Sequence, residues 1–285
     1  MQKKYDYRTI VISDVHLGTT GSKAIEATNF IKEFSCERLI LNGDIIDGWQ
    51  LKKYGAWKKK HTAFIRAVLK TIEQKDTEVY YIRGNHDDFL DQFIPFTVGP
   101  NFKIVKEMVL NSGSNKFYIT HGDVFDLVTT KAKWLAHIGD LGYTFLLWLN
   151  KKYNHYRILK GKPYYSLSQK VKNSIKMAVN YVSDFEQQLS EMAKSKECSG
   201  IICGHIHQPA IKEINGIAYM NSGDWVENKS ALVEDFNGNW EIVYDASHLN
   251  TISDNNDNAN FPIEFDMEEI DSEFAESYAH IFELK

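Results

Sequence analysis

Thr9-Ile10-Val11-Ile12-Ser13-Asp14-Val15-His16 is a run of β-favouring residues that ends in an aspartate and a histidine. The same construction recurs four more times: Arg38 to Leu41 before Gly43-Asp44, Glu78 to Ile82 before Gly84-Asn85-His86-Asp87, Lys116 to Ile119 before His121-Gly122-Asp123, and Gly200 to Ile202 before Gly204-His205-Ile206-His207. Short apolar runs rich in Ile, Val and Tyr read as buried strands. In an open α/β sheet the carboxyl ends of the strands share one edge, and ligands bind in the crevice there. Five strand ends placed in this way gather Asp, His and Asn into a single polar site.

Asp14, His16, Asp44, Asn85, His121, His205 and His207 offer imidazole, carboxylate and amide oxygen but no thiolate. That donor set suits manganese, iron or zinc better than calcium or copper. Seven ligands are too many for one tetrahedral ion. With Asp44 as a bridge, one ion receives Asp14, His16, Asp44 and His207, and a second receives Asp44, Asn85, His121 and His205. Two cations about 3.5 to 4 Å apart clamp the attacking and departing oxygens of an in-line displacement at phosphorus. A bridging water acidified to hydroxide then removes the need for a protein nucleophile. Any one motif is weak evidence, since Asp-X-His at a strand end is more often a turn than a ligand pair. All five in order, each after a strand, make that bland reading untenable.

The ordered set Asp14-X-His16, Gly43-Asp44, Gly84-Asn85-His86-Asp87, His121 and Gly204-His205-X-His207 resembles the calcineurin-like metallophosphoesterase superfamily, over Tyr7 to about Asp245. The resemblance implies that the seven residues hold two divalent ions, Mn²⁺ first with Fe²⁺ or Zn²⁺ as alternatives. It also implies that His86 stabilises or protonates the phosphoryl group, which makes His86, Asp44 and Asn85 the catalytic core. Within the superfamily, Ser13-Asp14-Val15-His16-Leu17-Gly18, the large insertion after His121 and the histidine spacing most resemble the UDP-2,3-diacylglucosamine pyrophosphohydrolases of lipid A synthesis. The activity implied is hydrolysis of a nucleotide-linked lipid to UMP and a lipid sugar phosphate. One position departs: His86 follows Asn85 where the lipid A enzymes commonly carry Arg. Alternatives are the same metal machinery acting on another phospholipid or small phosphoester, and a metal-bound lipid sensor without turnover.

Strands and helices alternate through the first half, with helices expected over about Ser22 to Phe34 and Ala56 to Gln74. After a helical insertion the chain returns through several strands up to Tyr244, including a hairpin around Asn215-Gly216, a type I′ turn signal. The expected fold is α/β, two mixed β-sheets packed face to face as a sandwich flanked by helices. Residues 1–246 form the catalytic domain, 127–195 within it a helical cap insertion, and 247–285 a polar, acidic tail. Trp225 reads as packing. Asp87, Asp123, Asp47 and Asn42 adjoin ligands and are expected to orient imidazoles, since metal-bound histidines usually donate their other N–H to a carboxylate or carbonyl.

The 285 residues, 43% hydrophobic and 25% charged, suffice for one sizeable core. No stretch approaches the roughly 20 apolar residues of a membrane span, and Met1 to Tyr7 lacks an apolar signal segment. Cys36, Cys198 and Cys203 stand in no ligand spacing and read as reduced apolar residues. A cytoplasmic protein is expected. The net charge of −5 is uneven: ten acids against one base from Ser247 to Lys285 leave the rest of the chain mildly basic. Leu127 to Val182 carries ten basic residues against Asp140 alone. Trp134, Ile138, Leu141, Phe145 and Trp148 recur there at helical spacing. An apolar helix flanked by Lys and Arg suits an interface with anionic lipid, and suits a nucleic-acid groove poorly. Peripheral contact with the inner face of the cell membrane follows. A helix from Ser166 to about Lys194 places Asn173 and Lys176 on one face, and these two with Asp126 are the candidate substrate contacts.

Overall fold

The computed structural model describes residues 5–55, 57–123, 160 and 167–245. Its centre is a seven-stranded sheet in the order β12-β11-β1-β2-β3-β5-β4, where β1 is Tyr7–Ile12, β2 Cys36–Asn42, β3 Glu78–Ile82, β4 Phe96–Val98, β5 Phe102–Val105, β11 Ser230–Glu234 and β12 Trp240–Tyr244. A five-stranded sheet, β6-β7-β8-β10-β9, is built from Glu107–Ser112, Asn115–Thr120, Gly200–Cys203, Ile217–Asn221 and Ala210–Ile214 in that spatial order. The fold is the expected one, two mixed sheets with flanking helices.

Alternation along the strands produces the layers. Successive side chains of a strand point to opposite faces, so Val11, Ile40 and Ile82 meet Leu110, Phe117, Ile119, Ile202 and Met220 between the sheets. Their neighbours Ile10, Ile12, Leu39, Leu41 and Val79 turn the other way, against helices α1 (Ala24–Glu33) and α3 (Lys59–Lys75). Those helices answer with apolar residues at helical spacing, Ala27, Phe30 and Ile31 on α1 and Phe64, Ala67 and Val68 on α3. The outer face of the second sheet, Tyr118, Ile201, Cys203 and Tyr219, packs on Phe185, Leu189 and Ala193 of helix α4 (Leu167–Ser195). Strands buried on both faces are apolar throughout, which is why the five runs stand out in the sequence.

The five donor-bearing strand ends do not share one sheet. β1, β2 and β3 run parallel in the first, and β7 and β8 run parallel in the second. The two sets converge because both sheets present their carboxyl ends on the same side of the sandwich. The hairpin of β9 and β10 is as expected, with Asn215 at φ 52° and Gly216 at φ 79°. The helix expected from Ala56 starts later, at Lys59. A separate short helix, α2 (Gly48–Tyr54), precedes it and ends on Gly55 in the left-handed conformation, φ 61°. Trp225 is fully buried against Phe30, a packing residue as expected. No helix among the described residues is long and apolar enough to cross a membrane. The chain divides into a compact unit, Met1–Asp245, and a second, Ala246–Lys285. The latter, together with 127–159 and 161–166 of the expected cap, lies outside the described residues.

Candidate metal centre

The loops after β1 and β2 are zipped together by backbone hydrogen bonds from Asp14 N to Gly43 O (3.0 Å), His16 N to Asp44 O (2.9 Å) and Leu17 N to Ile45 O (2.8 Å). This fixes the first two motifs relative to each other. One oxygen of each aspartate is then tied to a third or fifth motif: Asp14 Oδ2 accepts from His205 N at 3.0 Å and Asp44 Oδ1 from His86 N at 2.8 Å. Gly204 N donates to His121 O at 3.0 Å, linking the fourth and fifth motifs. The remaining oxygens, Asp14 Oδ1 and Asp44 Oδ2, face the centre.

Around those two oxygens the imidazoles gather. Asp14 Oδ1 lies 3.1 Å from His207 Nε2 and 3.8 Å from His16 Nε2. Asp44 Oδ2 lies 3.2 Å from His121 Nε2 and 4.0 Å from His16 Nε2. Two candidate ion sites result, Asp14 with His16 and His207, and Asp44 with His121 and His205, each with its donor atoms within 4.8 Å of one another. Asp44 also groups with His16 and His86, a position consistent with a bridge.

A divalent ion fits this arrangement on two counts. Asn85 Oδ1 is buried and accepts no hydrogen bond, an expense that a cation would offset. His16 Nε2 and His207 Nε2 confront each other at 3.4 Å, two basic nitrogens converging where a shared cation suits both. Five of the seven candidate ligands, Asp14, His16, Asp44, His205 and His207, have left-handed backbone with φ between 49° and 70°. That conformation is uncommon for residues with a side chain and clusters at functional sites.

The carboxylates demand positive charge. Burial alone would raise the pKa of Asp14, but His207 and His121 hold it well below the usual carboxylate range. Asp44 is likewise depressed, against its burial, by His121, His16 and His86. His121 responds in kind: burial disfavours its charge, yet Asp44 and Asp14 push it up to about 10. Near neutral pH a proton therefore sits on His121 and must leave when a cation takes its place. Loading with Mn²⁺ is expected to release protons, and apparent affinity to strengthen as pH rises towards about 10. Calorimetry in two buffers of different protonation enthalpy checks this; a heat independent of buffer would contradict it.

The neighbouring residues divide. Asp47 caps α2 by accepting from Gln50 N at 2.8 Å with Oδ1, while Oδ2 lies 3.4 Å from His16 Nδ1 and 3.0 Å from His86 Nδ1. Burial would raise its pKa, but hydrogen bonds from His16 and His86 hold it far below the usual range. Asn42 serves through its backbone, its carbonyl 2.9 Å from His121 Nδ1. Asp87 does not orient an imidazole. The chain reverses at Gly84-Asn85, so the Asp87 carboxylate lies beneath the loop and accepts from Ile45 N (3.1 Å), Tyr81 Oη (2.7 Å) and Gly84 N. Its burial, with Asp44 nearby, raises its pKa to about 7. Asp123 pairs with Arg83, which also holds Asp91, so it too is engaged by a guanidinium and not by a ring.

Asp47→Asn isolates the orienting role, because asparagine still caps a helix while the carboxylate charge facing both imidazoles is lost. A fall in turnover of about 10- to 100-fold is expected, the range typical of outer partners of metal ligands. An unchanged circular dichroism spectrum should accompany it.

Sequence reasoning missed Trp49. Its ring lies 4.5 Å from that of His86, and its indole N–H donates to Asp88 Oδ2 at 3.3 Å. The signal available was its place five residues beyond Asp44 in a segment with no apolar periodicity. Of the candidate substrate contacts, Asp126 lies outside the described residues, and Asn173 and Lys176 fall on α4 where the backbone alone is described.

Residues 7–209 match the profile of the calcineurin-like phosphoesterases. The chain is 25% identical over 241 residues to a UDP-2,3-diacylglucosamine hydrolase of Shewanella sp. (strain ANA-3), covering 81% of this chain and 95% of the relative. It is 28% identical over 228 residues to the enzyme of that name from Blochmanniella floridana, covering 72% and 82%. Among solved structures, an archaeal phosphodiesterase aligns over 82% of this chain and 98% of its own at 14% identity, TM-score 0.40. With more than half of its length matching that profile, the chain belongs to the calcineurin-like phosphoesterase family, metal-dependent hydrolases of phosphoric esters.

Proposed function

We propose that this protein hydrolyses the diphosphate of a nucleotide-linked lipid such as UDP-2,3-diacylglucosamine, yielding UMP and a lipid sugar phosphate. The observation that carries the chemistry is the convergence of Asp14, His16 and His207 with Asp44, His121 and His205 beside the half-buried His86. What supports the substrate is the name shared by three curated relatives, UDP-2,3-diacylglucosamine hydrolase, matched over 72% or more of this chain.

In this reading Asp14, His16, Asp44 and His207 hold one ion and Asp44, Asn85, His121 and His205 the other. Two bound divalent ions, Mn²⁺ with Fe²⁺ or Zn²⁺ as alternatives, supply charge neutralisation at phosphorus and lower the pKa of the attacking water. The protein does the positioning. Asp47 secures Nδ1 of His86, which directs Nε2, 4.0 Å from Asp44 Oδ2, towards the phosphoryl oxygens. Trp49 covers one face of that ring and limits its rotation. Asp126, Asn173 and Lys176 are assigned to the head group. The enzyme works in the cytoplasm, peripherally on the inner face of the membrane.

His86, where the lipid A enzymes commonly carry Arg, favours a second reading in which the same machinery acts on another phospholipid or small phosphoester. The deciding experiment is ³¹P NMR of the Mn²⁺-loaded protein with UDP-2,3-diacylglucosamine in detergent. Conversion of the diphosphate signals into two monophosphates supports the first reading. An intact diphosphate, with generic phosphodiesters still cleaved, leaves the second.

A further inference from the structure

Gly48 to Lys60 reads Gly-Trp-Gln-Leu-Lys-Lys-Tyr-Gly-Ala-Trp-Lys-Lys-Lys, five lysines and three aromatic residues without an acid. It is a basic segment remote in sequence from the basic stretch at 127–182. The first seven residues form α2, none of which is buried. Leu51, packed over Gly18, anchors the helix. Trp49, Tyr54 and Trp57 are 51%, 63% and 42% exposed, large values for residues of this size in a short segment. Both indole N–H groups are satisfied within the protein, Trp49 on Asp88 and Trp57 on Thr62 Oγ1 at 2.9 Å, which leaves their ring surfaces outermost.

The charges are arranged to match. Lys52, Lys53, Lys58 and Lys59 are exposed, while Lys60 turns back to the Ser22 carbonyl at 2.6 Å. Lys53 Nζ lies over the Tyr54 ring at 4.9 Å. Of the adjoining carboxylates, Asp47 faces inward to His16 and His86, whereas the exposed Asp88 accepts the Trp49 indole N–H and keeps its charge, one negative group beside four exposed lysines. Phe89, 41% exposed, packs on Gly48 and extends the apolar rim past His86.

We propose that Gly48–Gly55 and Trp57–Lys60 form the surface with which this protein contacts an anionic lipid bilayer, setting the metal centre against the head groups. Aromatic rings that are apolar in body and satisfied at their polar tip favour the bilayer interface, and adjacent lysines are attracted by its negative potential. The lipid commitment rests on the lipid-linked substrate reading above. The position of Trp49 against His86 gives the contact its purpose, since a substrate presented at the bilayer surface arrives beside the catalytic imidazole.

The test is partition of the full-length protein onto vesicles of phosphatidylcholine containing phosphatidylglycerol, against phosphatidylcholine alone, for wild type and for a variant with Lys52, Lys53, Lys58 and Lys59 all changed to Gln. Wild type is expected to bind the anionic vesicles and to be released by salt, and the Gln variant to bind on the order of 1000-fold more weakly. Hydrolysis of a soluble phosphodiester should be unchanged, and the four-Arg counterpart should keep binding, which separates lost charge from lost folding. Equal binding by wild type and the Gln variant, or no binding by wild type, overturns the proposal. Binding needs no turnover, so failure of the UDP-lipid assay with intact vesicle binding would strike the substrate reading alone.

Discussion

Asp44→Asn is expected to lower phosphodiester hydrolysis by more than 100-fold and to reduce the bound metal measured per chain. Residues one step removed from a metal commonly cost about 10- to 100-fold when changed. Asp44 groups with ring nitrogens from both candidate ion sites, so its loss should exceed the upper end of that range. Asparagine preserves shape and still accepts the backbone N–H of His86, now at 2.8 Å, so the loop should persist. What disappears is the negative charge that counterbalances His121, whose raised pKa depends first on Asp44 among its charged neighbours. Steady-state rates with Mn²⁺ and metal analysis of the dialysed protein check the two parts. Full activity in the variant would contradict the bridging role.

Gly84→Ala should do comparable damage by a different route. A methyl group at Gly84 would clash with Asp44 Oδ1 and lie 2.5 Å from Asp44 N, with His121 Cδ2 at 2.9 Å. None of these atoms is the far end of a flexible chain: Asp44 is tied by hydrogen bonds to the β1 and β3 loops and His121 to Asn42 O. The backbone must therefore shift. Inserting a methyl group into a packed site typically costs about 1 to 3 kcal/mol, and displacing a positioned group by about 1 Å can cost 100-fold in rate. The expected outcome is a lowered melting temperature together with a rate loss on the order of 100-fold. Thermal denaturation and initial rates at saturating Mn²⁺ measure both, and a wild-type rate would show that the loop yields more readily than its contacts suggest.

The strand ends were legible because the carboxyl-terminal halves of these strands are largely apolar and buried, so the Asp, Asn and His residues that follow Ile12, Leu41, Ile82, Ile119 and Ile202 are conspicuous. Their division between two sheets was not, since a run such as Gly200 to Ile202 looks the same in either sheet. Asp87 was misread for a related reason. Proximity to Asn85 and His86 in sequence carries no information on which side of a tight reversal a side chain emerges, and this one emerges beneath the loop against Tyr81. Helix α2 escaped notice because periodicity detects an apolar face, and a helix with no buried residue has none. Strands β4 and β5 are three and four residues long, too short for alternation to register. Asp47 and Asn42 were found by adjacency to Asp44, although Asn42 acts through its carbonyl, which any residue there would supply.

The left-handed backbone at Asp14, His16, Asp44, His205 and His207 reaches beyond catalysis. Such a conformation costs up to roughly 1 to 2 kcal/mol for a residue with a side chain, less for Asp and His, which adopt it more readily, and five together still count against a typical folding stability of about 5 to 15 kcal/mol. Ions that bind only the native chain restore the difference by mass action. The ion would then be part of the folding equilibrium as well as of the chemistry, and stripping it with a chelator is expected to lower the melting temperature along with the activity.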